Sequence, residues 1–126
     1  MIMVIGGAFQ GKKTYAKQWI ADESRWADGA DCTWQDLYSC GAVDHFHLFV
    51  KRFLEDPKLD TLPEKLAEKN PGLVLVSDEL GYGVVPVESK DRAWREKTGR
   101  ICTRLAAQSE EVHRVICGVG VVIKHA

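Results

Sequence analysis

Ile2 to Ile5 is an unbroken apolar run that stops at Gly6-Gly7, the pattern of a strand buried on both faces, as in a parallel sheet. After Gly11 the period changes: Tyr15, Trp19 and Ile20 recur at helical spacing and predict a helix from Lys12 to Glu23. Residues 24–41 mix Trp26, Trp34 and Tyr38 with several aspartates, show no clean period, and predict only a short strand around Asp31 to Trp34. Asp44 is the expected N-cap of a helix through Glu55, with Phe46, Phe49, Val50 and Phe53 on one side and Pro57 as its stop. A second helix is expected from Leu59 to Lys69, with Pro63 in its first turn, followed by an Asn70-Pro71-Gly72 turn. Leu73 to Ser77 is the clearest strand in the chain and ends on Asp78-Glu79. A loop then runs to Glu88. Ser89 caps a long helix to about Glu111, with Trp94, Ile101 and Leu105 on its buried face. Val112 to Cys117 and Val119 to Ile123 complete the pattern as a hairpin about Gly118 at the edge of the sheet.

Strands and helices alternating in this order predict an α/β protein, three layers deep, with a mostly parallel sheet and helices on both faces. A length of 126 residues fits one domain, 1–126. Its 17 basic and 18 acidic residues leave a net charge of -1, which gives no electrostatic case for a nucleic-acid partner, although the part after Leu80 is locally basic. No apolar run has the roughly 20 residues of a membrane span, and the first residues lack the basic leader and apolar core of a signal peptide. Cys32, Cys40, Cys102 and Cys117 form neither a Cys-x-x-Cys unit nor a zinc spacing. Free thiols and a cytoplasmic location are therefore expected.

The candidate chemistry begins where the first strand ends. Gly6, Gly7, Ala8, Phe9, Gln10, Gly11 and Lys12 fill seven positions of the G-x-x-x-x-G-K-[ST] phosphate loop, between a predicted strand and a predicted helix. Such a loop aims backbone amides at a phosphate, adds the positive end of the helix dipole, and brings a lysine to the terminal phosphates. The expected architecture is thus P-loop NTPase-like, of RecA-like layering. One position departs from the pattern: Lys13 stands where a hydroxyl residue normally reaches Mg²⁺, and Thr14 comes one residue late. One residue on a helix turns a side chain by about 100°. Lys13 is expected instead to offer charge to the phosphates.

Asp78 and Glu79, at the end of the second clear strand, are the expected acidic partners, with Asp78 the metal ligand. The stretch Val76-Ser-Asp-Glu-Leu-Gly-Tyr-Gly-Val-Val-Pro86, with Gly99-Arg100 and Leu105-Ala106 on the long helix and Val112-His-Arg-Val115 running into Gly118, resembles the adenosylcobinamide kinase / adenosylcobinamide-phosphate guanylyltransferase family. The N-terminal glycine loop matches as well, so the resemblance covers residues 1–23 and 73–123.

The resemblance implies a kinase of cobalamin biosynthesis that uses ATP or GTP, with Mg²⁺, to phosphorylate the aminopropanol hydroxyl of adenosylcobinamide. It also implies GMP transfer through a guanylylated histidine, and a homo-oligomer. Lys12, Glu79 and Asp78 become the catalytic set, and Gly81, Gly83 and Pro86 match the loop that follows. The region that carries the guanylylated histidine in the family is shortened here. His45 and His47 are the nearest candidates, and His113 and His125 match no motif. Two other readings stay open: a nucleotide-binding pseudoenzyme or regulatory subunit, and a different small-molecule kinase or NTPase on the same scaffold.

Overall fold

The computed structural model describes residues 1–80 and 88–125. Its sheet has six strands in the order β2-β3-β4-β1-β5-β6. The strands are β1 (Ile2–Gly6), β2 (Trp26–Asp28), β3 (Ala42–Asp44), β4 (Val74–Asp78), β5 (Glu111–Ile116) and β6 (Val119–His125). The first five run parallel, and β6 returns antiparallel to β5 at the edge. The helices are α1 (Lys12–Ala16), α2 (Trp34–Ser39), α3 (Phe46–Arg52), α4 (Leu62–Lys69) and α5 (Ser89–Gln108).

The alternation of side chains along β1 and β4 explains the layering. Met3, Leu73 and Leu75 point to one face, where Leu37, Phe46, Phe49, Leu66, Ile101 and Leu105 from α2 to α5 cover them. Val4, Val74 and Val76 point to the other, which α1 and the turn after it cover with Ala16 and Ile20. The central strands are therefore buried on both faces, between four helices and one, while the edge strand β6 is largely exposed.

The expected α/β order holds, but several boundaries differ. The first helix ends at Ala16, not Glu23, because the chain tightens into i→i+3 bonds (Trp19 N–H to Ala16 O, 3.1 Å). Asp22 then takes the Ser24 N–H at 3.0 Å, and Trp26 Nε1 donates to Ile20 O at 2.8 Å. No strand forms at Asp31 to Trp34. The residues there turn, and a capping box between Thr33 and Asp36 opens α2. The strands of this region are the three-residue β2 and β3 instead. Asp44 is not the cap of α3: its carboxylate accepts from His45 N–H at 2.8 Å, and the left-handed His45 (φ 53°) is the cap. Glu88 holds the N-cap position of α5 without a side-chain capping bond, Ser89 is the first residue of the helix, and it ends at Gln108.

Trp34 and Tyr38 pack on the four-helix side, and Trp26 on the α1 side, so core packing accounts for these aromatics. Two basic residues of α5 tie it to α4 and the turn before it: Lys97 pairs with Asp60 in that turn, and Arg104 with Glu64 on α4. All four cysteines are free thiols. Among the described residues no helix is long and apolar enough to cross a membrane.

A cluster around Tyr15 fixes the β5–β6 hairpin against α1. The Tyr15 hydroxyl meets His113 Nδ1 at 2.7 Å, His113 Nε2 donates to Glu111 at 2.9 Å, and Trp19 packs edge-on against the His113 ring. A Cβ added at Gly120 would lie 2.1 Å from the Tyr15 ring. Gly120→Ala is expected to cost about 1–3 kcal/mol in urea unfolding, and Tyr15→Leu in the same chain to recover much of it. An unchanged midpoint for Gly120→Ala would show that the ring moves aside freely.

Candidate functional site

Parallel pairing assembles the site. The register of β1 and β4 sets Gly6 beside Asp78, and that of β2 and β3 sets Asp28 beside Asp44. Strand ends that carry glycine or aspartate thus meet on one edge, the usual place for ligands in open α/β sheets. Gly6 must lack a side chain: a Cβ there would stand 2.5 Å from Val115 O and 3.3 Å from Lys12 Cδ. Gly11, at φ 83°, turns the loop into α1 in a conformation that glycine adopts without strain.

The β5–β6 turn buttresses the loop. Cys117 and Gly118 both have positive φ (51° and 77°), the signature of a type I′ hairpin. Cys117 N–H donates to Gln10 Oε1 at 2.6 Å, and Gly118 N–H to Gln10 O at 2.8 Å. Phe9, also left-handed at φ 61°, stands fully exposed at the loop's tip.

Lys12 is buried at the centre. Its ammonium donates to Gly7 O at 2.7 Å and meets Asp78 Oδ1 at 2.7 Å. A charge in such a position requires partners of this kind, since desolvation without them is costly. Ala8, Phe9, Gln10, Gly11, Lys13, Thr14, Asp44 and His45 join Lys12 and Asp78 around a cavity of about 310 Å³. A larger cavity of about 630 Å³ lies along β2, but no loop residue lines it, so the chemistry points to the smaller one.

The structure separates the remaining sequence candidates. Asp78 lies in the loop cavity. Glu79 is absent from its lining and is held by Arg114 Nε at 2.8 Å. Lys13 borders the cavity, but its ammonium pairs with Glu23 and sits 5.1 Å over the Trp26 ring. Thr14 borders it too. Mg²⁺ is satisfied by one or two carboxylates together with phosphate oxygens and waters. Asp78 and Asp44 both border the cavity and are the carboxylates that could meet that requirement, although Lys13 replaces the usual hydroxyl residue. Gly81, Gly83 and Pro86 lie outside the described residues.

The two histidines beside the loop differ in kind. His45 is half-exposed, and its Nδ1 stands 3.0 Å from Asp28 Oδ1 and 3.6 Å from Asp44 Oδ2. The Ala30 amide and His45 hold the Asp28 carboxyl below its usual range, against the opposing effect of its partial burial. A carboxylate only accepts, so His45 Nδ1 carries the proton in that contact, and Nε2 has no partner among the described residues. His47 is buried. Its Nδ1 accepts from the Asp78 N–H at 3.1 Å, and Nε2 lies 3.4 Å from Asp78 Oδ2. It is locked to the acid it supports. Sequence reasoning gave both residues the same standing, and the signal that divides them is the spacing itself: two residues apart at a helix start, one faces the rim and the other the core.

Burial lowers the pKa of His47, Asp78 opposes this, and His45 and Lys12 add to it. The folded value thus lies below the ordinary one of about 6.5, so protonation favours the unfolded chain. The contribution is complete above that ordinary value and is lost as pH falls below it. Urea unfolding at pH 7 and pH 5.5 should show a loss of stability for the wild type that shrinks in His47→Asn. Equal losses in both proteins would remove His47 from this account.

Comparisons with known proteins give the family of the chain. The family model described as cobinamide kinase / cobinamide phosphate guanyltransferase matches residues 39–123, a stretch with Asp78 inside and the glycine loop outside. The bifunctional adenosylcobalamin biosynthesis protein CobU of Salmonella typhimurium is 46% identical over 52 residues, covering 41% of this chain and 29% of that protein. Its Escherichia coli counterpart is 44% identical over 52 residues with the same coverage. The aligned region thus spans under a third of the length of these relatives. With two-thirds of its residues under the family model, the chain belongs to the cobinamide kinase / cobinamide phosphate guanyltransferase family.

Proposed function

We propose that this protein is a phosphotransferase of cobalamin biosynthesis that moves the terminal phosphoryl group of ATP or GTP to the alcohol of adenosylcobinamide. The observation that carries the reading is the seat of Lys12 between Gly7 O and Asp78. Loop amides and Lys12 take the β- and γ-phosphates, whose oxygens replace the carboxylate and carbonyl around the ammonium. The acceptor oxygen attacks the γ-phosphorus in line, the bond to the bridging oxygen breaks, and the nucleoside diphosphate leaves with that oxygen. The proton of the alcohol passes to Asp78 and then to solvent. A magnesium ion held by Asp78 and the phosphates supplies charge neutralisation when bound. Catalysis rests on alignment and on charges fixed before the reaction.

The rim position of His45 favours a second activity on the same scaffold. With its Nδ1–H directed to Asp28, Nε2 is a nucleophile oriented by a carboxylate. Attack on the α-phosphorus of GTP would release pyrophosphate and leave GMP on Nε2, from which a phosphate oxygen of the kinase product takes it. The buried His47 is not a candidate for this step.

One labelling experiment tests both. With Mg²⁺, γ-labelled ATP or GTP should label adenosylcobinamide, and Lys12→Ala should slow this by about a hundredfold or more. With α-labelled GTP, the protein should gain an acid-labile label that His45→Ala abolishes and His47→Asn retains. Nucleotide-dependent thermal stabilisation without transfer to any acceptor would overturn the kinase reading in favour of a pseudoenzyme or regulatory subunit. Transfer that survives Lys12→Ala would overturn the site.

A further inference from the structure

We infer that a second cavity, on the other side of Asp78 from the phosphate loop, receives the alcohol-bearing arm of the acceptor. The inference rests on the kinase reading above. The cavity, of about 330 Å³, lies between the ends of β1 and β4 and the middle of α5. Ile5, Leu80 and Cys102 supply its apolar wall, and Asp78 and Glu79 its carboxylates. Asp78 belongs to the lining of both cavities. A hydroxyl bound here therefore lies next to the carboxylate that meets Lys12.

Two features of α5 find no explanation among the other described residues. Thr98 lines the cavity and is 2% exposed, yet its hydroxyl has no hydrogen-bond partner among the described residues. A buried hydroxyl without a partner is uncommon and unfavourable, and the usual remedy in a helix is the carbonyl one turn back. Thr103, on the same helix, takes that remedy with Gly99 O at 2.8 Å. Thr98 does not. Its neighbour Gly99 also lines the cavity, and a Cβ there would meet nothing within 4 Å among the described residues. Glycine inside a helix is unfavourable relative to alanine, and no packed neighbour among the described residues requires it here. An unpaired hydroxyl beside an open glycine forms a recess for something that brings its own polar atom.

The lining specifies the chemistry. The Thr98 hydroxyl can donate to an amide carbonyl, Asp78 can accept from an alcohol, and the apolar wall takes the short carbon chain between them. Arg114 keeps Glu79 charge-paired at 2.8 Å. The volume admits a small amide-linked alcohol arm and leaves a corrin macrocycle outside.

Equilibrium titration with cobinamide, and with the corrinoid acid that lacks the amino-alcohol arm, tests this separately from turnover. Thr98→Val and Gly99→Leu should each weaken cobinamide binding by about tenfold or more, while Thr98→Ser should bind as the wild type does. ATP affinity should stay unchanged in all three. The melting temperature of Gly99→Leu should equal or exceed that of the wild type, so lost binding could not be ascribed to lost fold. The armless corrinoid should bind weakly and alike to every variant. Wild-type affinity for cobinamide in both Thr98→Val and Gly99→Leu, or equal wild-type affinity for the armless corrinoid, would overturn the inference. Arm-dependent binding by a protein that transfers no phosphate would leave it standing and sink the kinase reading instead. Transfer with an unaltered acceptor KM in both variants would sink the inference alone.

Discussion

The Lys12 ammonium and the Asp78 carboxylate meet at 2.7 Å because three separate constraints agree. Parallel pairing in register sets Gly6 beside Asp78, the missing side chain at Gly6 lets Val115 O and Lys12 approach, and the left-handed Gly11 turns the chain back over the strand ends. The pair is mostly withdrawn from water, so each charge depends on the other. The geometry around it follows. His47 grips the Asp78 backbone and faces its second oxygen, Trp94 donates to the His47 carbonyl at 2.7 Å, and α5 is thereby tied to the acid. Gln10 links the loop to the β5–β6 turn.

Asp78 then acts as a partition. On one side lies the glycine loop, on the other the recess beside Thr98 and Gly99. A donor phosphate and an acceptor alcohol approaching from opposite sides of one carboxylate would come together without either crossing the other's site. His45 borders the loop cavity from the β2–β3 rim, beside Asp28, so the residue proposed for nucleotidyl transfer shares that cavity with Lys12 and Asp78.

Much of the fold was legible in the sequence. The β-branched runs at Ile2 to Ile5 and Leu73 to Ser77 gave the two central strands, and the glycine spacing gave the loop between strand and helix. The six-strand, mostly parallel sheet and the family both follow that expectation. What escaped were elements too short to show a period. β2 and β3 have three residues each, held by their neighbours more than by their own pattern. The Thr33-x-x-Asp36 capping box was a visible sign of α2 that the aromatic and acidic mixture obscured. At the site, Lys12 and Asp78 were readable from motif and strand end. The turning of Glu79 toward Arg114 was not, because β5 is distant in sequence and only the sheet order brings it near.

The claim on which the rest depends is that Asp78 holds Lys12 in the place a phosphate takes. Calorimetric titration of ATP into Asp78→Asn, in EDTA so that no divalent ion intervenes, addresses it most directly. Without the competing carboxylate the ammonium should bind phosphate more readily, so the variant should bind ATP several-fold more tightly than the wild type, on the order of 1 kcal/mol. Unchanged or weaker binding by Asp78→Asn under those conditions would contradict the account.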